Sequence, residues 1–149
     1  MQTDQIPKFP IPVIRTVLDS GLTVITAETN TAFALAKVVV ASGGLRDGDH
    51  PGVAHFLEHA VFEGPSRAGM HPRLSRFVRR GMQANAMTNY ERTEYFVNAL
   101  ATDVMEAVPD LLGIVLSPEI EAGAVDRERE VVRQEVRDRE TGNEYGAWR

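Results

Sequence analysis

An α+β fold, a mixed, largely antiparallel sheet covered by helices, is what this sequence predicts, and three observations lead to it. Short runs rich in β-formers stand at 13–18, 22–26, 34–41 and 93–100. Longer stretches with helical spacing and helix punctuation stand at 51–63, 72–80, 103–116 and 124–140. The chain has 149 residues, 43% of them hydrophobic and 25% charged, which suffices for one domain with a real core.

Residues 1–12 contain Pro7, Pro10 and Pro12 and read as an extended arm ahead of a domain spanning 13–149. The runs 13–18 and 22–26 flank Asp19-Ser20-Gly21 and read as a hairpin. Residues 27–33 are polar and read as a loop. The segment ALAKVVVA at 34–41 is nearly continuously apolar, the signature of a central strand, and Ser42-Gly43-Gly44 ends it. A helix then spans 51–63, with Asp49 or His50 as its cap, Pro51 in its first position and Gly64 at its exit. Around 72–80 a second helix turns Leu74, Phe77 and Val78 inward and closes on Gly81. Residues 82–85 form a short strand, 86–92 a polar connection, and TEYFVNAL at 93–100 a strand. The helix at 103–116 opens on a capping box of Asp103 and Glu106, and Pro109 kinks it or moves its start. After a loop at 117–123, the last helix runs from 124 to 140 and ends at Gly142.

Composition removes several function classes. The net charge is −5 and the arginines are interspersed with acids, so no basic stripe offers itself to nucleic acid. No Cys is present, which excludes disulfides, thiol nucleophiles and cysteine metal sites, leaving His and carboxylates as the strong metal ligands. The opening MQTDQIPKFPIPVIRT has no apolar core of signal-peptide length, and no run approaches the ~20 apolar residues of a membrane span. A soluble, cytoplasmic protein without a membrane partner is the expectation.

The helix at 51–63 carries the chemistry. His55 and His59 stand four residues apart on one face, and Glu58 lies about 60° from His55 beside the pair. Their neighbours Val53, Ala54, Phe56, Leu57, Ala60, Val61 and Phe62 are apolar, and a helix apolar all round is normally buried. Buried imidazoles and a buried carboxylate are costly unless paired or bound. Two His at this spacing can share one ion about 2 Å from each ring nitrogen, as zinc requires. A carboxylate one residue before the second His is placed to take a proton from a metal-bound water. The order H-x-x-E-H is the inverzincin signature. The plainer alternative is two core histidines bonded to carbonyls, with Glu58 paired to an Arg.

A catalytic zinc needs a third protein ligand, and the last helix offers candidates. Its apolar stripe, Val125, Val131, Val132 and Val136, contains Glu128 and Glu135, seven residues apart. They are separated by about 10 Å along the axis, so both cannot readily hold one ion. Either carboxylate can be the ligand with the other behind a ligand. Alternatively both lie at the edge of the stripe, paired to Arg139 or to an Arg on another helix.

Taken together these residues resemble the pitrilysin / insulin-degrading enzyme / mitochondrial processing peptidase family of zinc metallopeptidases, over nearly the whole chain. Ser20-Gly21-Leu22-Thr23-Val24 is similar to the family's first hairpin, and Ala41-Ser42-Gly43-Gly44-Leu45-Arg46-Asp47 to the strand end before the zinc helix. The segment GVAHFLEHAVFEG at 52–64 resembles that helix almost letter for letter. Asn85-Ala86-Met87-Thr88, followed by Thr93-Glu94-Tyr95, resembles the active-site edge strand and its neighbour, and EREVVRQE at 128–135 the segment supplying the third ligand.

The resemblance implies a fold like the N-terminal part of a pitrilysin-family peptidase domain. It implies Zn2+ held by His55, His59 and Glu135, with Glu58 as general base and Glu128 as a second catalytic glutamate that is not a ligand. Asn85 and Ala86 are implied to bond the backbone of a peptide substrate added to a sheet edge. Family domains are longer, so 13–149 is expected to be a truncated domain. A second, related domain or partner subunit is implied, closing a chamber and supplying an Arg–Tyr pair. Three functions follow: a zinc endopeptidase, a zinc-bearing module that binds peptide or partner without turnover, and a structural domain without metal.

Overall fold

Six strands among the described residues form two three-stranded sheets, and every pairing in them is antiparallel. A computed structural model describes residues 1–6, 10–63 and 72–140, apart from the side chains of 72, 73, 139 and 140. The chain divides into two units, Met1–Ala32 and Phe33–Arg149. The α+β class and the antiparallel pairing are as the sequence predicts. The strands, however, lie in two sheets rather than one.

The first unit is a meander of β1 (Gln2–Ile6), β2 (Val13–Val17) and β3 (Thr23–Ala27), in that order. The β2–β3 hairpin closes through residues 18–22, where Leu18 N–H donates to the Leu22 carbonyl at 2.9 Å. The expected extended arm therefore contains a paired strand. QTDQI has almost no apolar residue for a period-two pattern to reveal. It is held through backbone pairing and polar cross-strand contacts, such as Thr3 with Thr16 at 3.2 Å.

The second unit holds a sheet of β4 (Phe33–Val40), β5 (Gln83–Thr88) and β6 (Thr93–Leu100), in the order β4-β6-β5. β6, not the apolar β4, is the middle strand. β4 reads as a continuous apolar run because both its faces carry apolar residues. Ala36, Val38 and Val40 pack on the core, while Phe33, Leu35 and Val39 are exposed. β5 extends to Thr88, taking in three residues expected in a connection; its Ala and Asn residues have weak strand propensity and mask its length. Register settles it: Ala84, Ala86 and Thr88 sit opposite Val97, Tyr95 and Thr93.

Four helices complete the unit: α1 (Val53–Phe62), α2 (Pro72–Arg79), α3 (Val104–Leu116) and α4 (Ala122–Glu140). The core gathers Val61 of α1, Phe77 of α2, Tyr95 and Val97 of β6, and Ala107, Leu111 and Ile114 of α3. Val78, expected inward, is exposed. α3 starts after Asp103 and continues through Pro109, so the proline does not move its start. The expected capping box is absent: Asp103 accepts a hydrogen bond from Thr102, and Glu106 pairs with Arg80. On α4, Ala124 and Glu128 are buried, but Val131 and Val136 of the predicted stripe are exposed. Gly64 and Gly142 lie outside the described residues. No helix among the described residues is long and apolar enough to cross a membrane.

The start of α1 also differs from expectation. Neither Asp49 nor His50 caps it, and Pro51 is not in the helix. Gly52 is the N-cap, at φ +91°, a left-handed conformation that suits glycine. The side chain that satisfies the helix end is Asp47, buried and further upstream. Its Oδ2 accepts from Gly52 N–H at 2.6 Å and its Oδ1 from Ala54 N–H at 3.0 Å. A carboxylate on two free N–H groups also sits at the positive end of the helix dipole. Nor is α1 apolar-buried all round: Val53 and Leu57, four apart, are exposed. Replacing Asp47 by Ala is expected to cost about 1–2 kcal/mol in urea unfolding, and Asp47→Asn less, because the amide oxygen still accepts one bond.

Candidate metal centre

α1 and α4 lie side by side and run in opposite directions, as three contacts show. Glu63, the residue after α1, accepts from Arg127 at 3.1 and 3.2 Å. One turn back along α1, His59 Nδ1 meets Glu128 Oε2 at 3.0 Å. One turn further, His55 Nε2 lies 3.4 Å from Glu135 Oε2. The two-turn spacing of the α4 glutamates thus lets each reach a different part of the His pair.

Three ligand atoms converge. His55 Nε2 and His59 Nε2 are 3.3 Å apart, and Glu135 Oε2 is 3.4 Å from the first and 3.6 Å from the second. A tetrahedral ion with bonds of ~2.0–2.1 Å sets its ligands about 3.3–3.4 Å apart, which is what this triangle offers. The rings stand edge to face, 88° between planes, so both lone pairs can aim at one point without stacking. His55, His59 and Glu135 are the described residues that could hold one ion together.

Glu128 contributes from behind. It is 9% exposed, and its carboxylate accepts a hydrogen bond from His59 Nδ1–H. That fixes the tautomer and leaves the Nε2 lone pair facing His55 and Glu135. Glu128 therefore meets the triangle of ligand atoms only through the far side of the His59 ring.

Glu58 is also 9% exposed. The alternative that pairs it with an arginine does not hold among the described residues. Its partner is Thr88, whose hydroxyl donates to Oε2 at 2.5 Å. Thr88 was not singled out from the sequence. The available signal was period two along β5, which puts its hydroxyl on the inward face with Ala84 and Ala86. Nearby, Tyr95 is 4% exposed, and its phenol is pushed up to about 12, first by burial and then by the charge of Glu58.

Asn85 and Ala86 lie on β5, which among the described residues pairs only with β6 and so presents a free edge. Asn85 is exposed, and its Oδ1 accepts from the Ala86 N–H at 2.9 Å.

Residues 23–145 match the family model described as Insulinase (Peptidase family M16). The chain belongs to this family. Among curated relatives, the mitochondrial-processing peptidase subunit beta of Lentinula edodes is 34% identical over 120 residues, covering 79% of this chain and 26% of its own. The corresponding human subunit is 28% identical over 127 residues, covering 85% and 26%. The chain thus spans about a quarter of the length of the curated relatives it matches. Among solved structures, pitrilysin superposes with a TM-score of 0.75 at 24% identity, over 90% of this chain and 15% of that one. A protease from Helicobacter pylori gives 0.73 at 21%, over 91% and 31%. Both likenesses are of fold.

The Tyr95 phenol supplies a pH test. Its folded pKa lies above the ordinary 10.0, so between about 10 and about 12 the unfolded chain loses this proton while the folded one keeps it. Stability must then fall as pH rises through that window. Denaturation measured across it is expected to decline less steeply in Tyr95→Phe than in the native chain.

Proposed function

We propose that this chain carries the zinc site of an endopeptidase that cleaves peptides or unfolded segments. The single observation behind the reading is the 3.3, 3.4 and 3.6 Å triangle of His55 Nε2, His59 Nε2 and Glu135 Oε2. Those three side chains would hold Zn2+. Bound there, the ion supplies a water of lowered pKa and polarises a scissile carbonyl. Glu58, next in sequence to His59, receives the water's proton and returns it to the leaving amine. Glu128 holds the proton of His59 at Nδ1 and so keeps the ligand nitrogen bare. The free edge of β5, with Asn85 and Ala86, takes the peptide as an added strand through main-chain bonds, with weak selection of side chains.

A second reading draws on the chain's share of its relatives' length, 26%. In it, the chain holds zinc and peptide but turns over only with a second peptidase-like domain or subunit. The relatives' designation as beta subunits supports a partner of that kind. Turnover by the isolated chain would exclude this reading. A third, metal-free reading requires that a chelator leave the melting temperature unchanged.

The test is metal analysis together with cleavage of unfolded peptides. Native chain and Glu58→Gln are expected to carry equimolar zinc, with cleavage in the variant reduced by ~10²–10⁴-fold. Zinc bound normally with cleavage intact removes Glu58 from the reaction, and a native chain that takes up no zinc ends the proposal. Glu128→Gln is expected to weaken zinc by ~10–100-fold in chelator competition, because the amide no longer secures the His59 tautomer.

A further inference from the structure

We infer that Thr88 is the positioning residue of the Glu58 carboxylate and ties it to the peptide-binding strand. The inference rests on the reading of Glu58 as the base. Thr88 is the last residue of β5, and its Oγ1 lies 2.5 Å from Glu58 Oε2. Its other close partner is Thr93 Oγ1, at 3.3 Å. Thr93 spends its own proton on the Ser42 carbonyl, at 2.9 Å. Toward Thr88, Thr93 therefore presents only a lone pair. The single Thr88 proton then has a neutral acceptor at 3.3 Å and a carboxylate at 2.5 Å, and the shorter, charged bond takes it. Thr88 is thereby a fixed donor to Glu58, because the neighbouring Thr93 hydroxyl is committed to the backbone and offers it no competing charge.

Two consequences follow for the site. Glu58 Oε2 is occupied, and no described residue donates to Oε1, which is left for water. Asn85, on the edge where the peptide adds, is three residues before Thr88, about 10 Å along the same strand. One hydrogen bond thus links the element that would hold the substrate to the group that would hold the proton. A glutamate has three side-chain torsions, and without this bond its carboxylate is free to sample several. Misplacement of a reacting group by ~1 Å can cost ~10²-fold in rate without altering substrate affinity.

The experiment compares the zinc-loaded native chain with Thr88→Val, which removes the hydroxyl at nearly constant volume, and with Thr88→Ser, which restores it. Thr88→Ala serves if the valine variant fails to fold. In crystal structures, the Glu58 carboxylate is expected in one position in the native and serine chains and spread over several in the valine chain. With a peptide substrate, kcat is expected to fall ~10–100-fold in Thr88→Val, with KM within about twofold and zinc content unchanged, and to return in Thr88→Ser. An unmoved Glu58 carboxylate in Thr88→Val, or a kcat within twofold of native, overturns the inference. Failure of the hydrolase reading is a separate result: it would appear as unchanged cleavage in Glu58→Gln, and the crystallographic comparison still decides the Thr88 contact.

Discussion

Glu128 and Glu135 of α4 meet the two imidazoles of α1, Glu58 of the same α1 turns to Thr88 of β5, and this concentration of carboxylates is what the rest of the unit must accommodate. Glu58 and Glu128 are both 9% exposed, and neither meets a Lys or Arg among the described residues. Withdrawing a carboxylate from water costs several kcal/mol unless something positive or strongly hydrogen-bonding takes water's place. His59 and Thr88 provide part of that through single hydrogen bonds. Elsewhere the same unit handles a buried carboxylate differently. Glu94, 5% exposed, is flanked by Lys37 and Arg92, both at 2.5 Å, and the Lys37 and Arg92 hydrogen bonds hold its pKa below the ordinary range. Among the described residues, Glu58 and Glu128 have no such cation, whereas Glu94 has two. That contrast sits beside a triangle of His55, His59 and Glu135 that could hold one ion.

The cleft also depends on how α1 is held at its start. Gly43 lies so close to the β5–β6 turn that a Cβ there would sit 2.2 Å from the Asn89 carbonyl oxygen and 2.6 Å from the Arg92 nitrogen. Such proximity permits Gly44 N–H to reach the Asn89 carbonyl at 3.0 Å and Leu45 N–H the Tyr90 carbonyl at 2.8 Å. The same short segment continues to Asp47, whose carboxylate caps α1. One loop therefore fixes the origin of the helix bearing Glu58 and the hairpin bearing Thr88. A bond of 2.5 Å between two side chains thirty residues apart in sequence is possible because both elements are referenced to that loop.

How far the sequence revealed this differs from residue to residue, for physical reasons. The His helix and its four-residue spacing were legible because period and chemistry coincide there. The extent of 93–100 was legible because strong β-formers mark it. The cap of α1 was not, because the acceptor is Asp47, brought round by a turn rather than adjacent to the helix. β1 was hidden by its polarity, and β5 by residues whose preference for strand is weak. The choice between Glu128 and Glu135 could not be made from helix angles, which put both on one face within about 20°. Family resemblance favoured Glu135. The coordinates separate the two by height along α4, with Glu135 against both Nε2 atoms and Glu128 against the far side of one ring.

That division of labour follows from opposed helices with unequal spacings. The histidines are one turn apart, and the glutamates two. If α4 set Glu135 between the imidazoles, its other carboxylate had to fall about 10 Å further along the axis, past His59 and out of reach of a shared ion. It lands at Nδ1, the one remaining polar atom of that ring. The two carboxylates therefore cannot converge on one point, and Glu128 meets the triangle only through His59. The seven-residue spacing thus sets one carboxylate against both Nε2 atoms and the other against Nδ1 of His59 from a single helix. The same condition explains why the motif on α1 alone, without the matching interval on α4, would leave His59 with no acceptor to determine which nitrogen it presents.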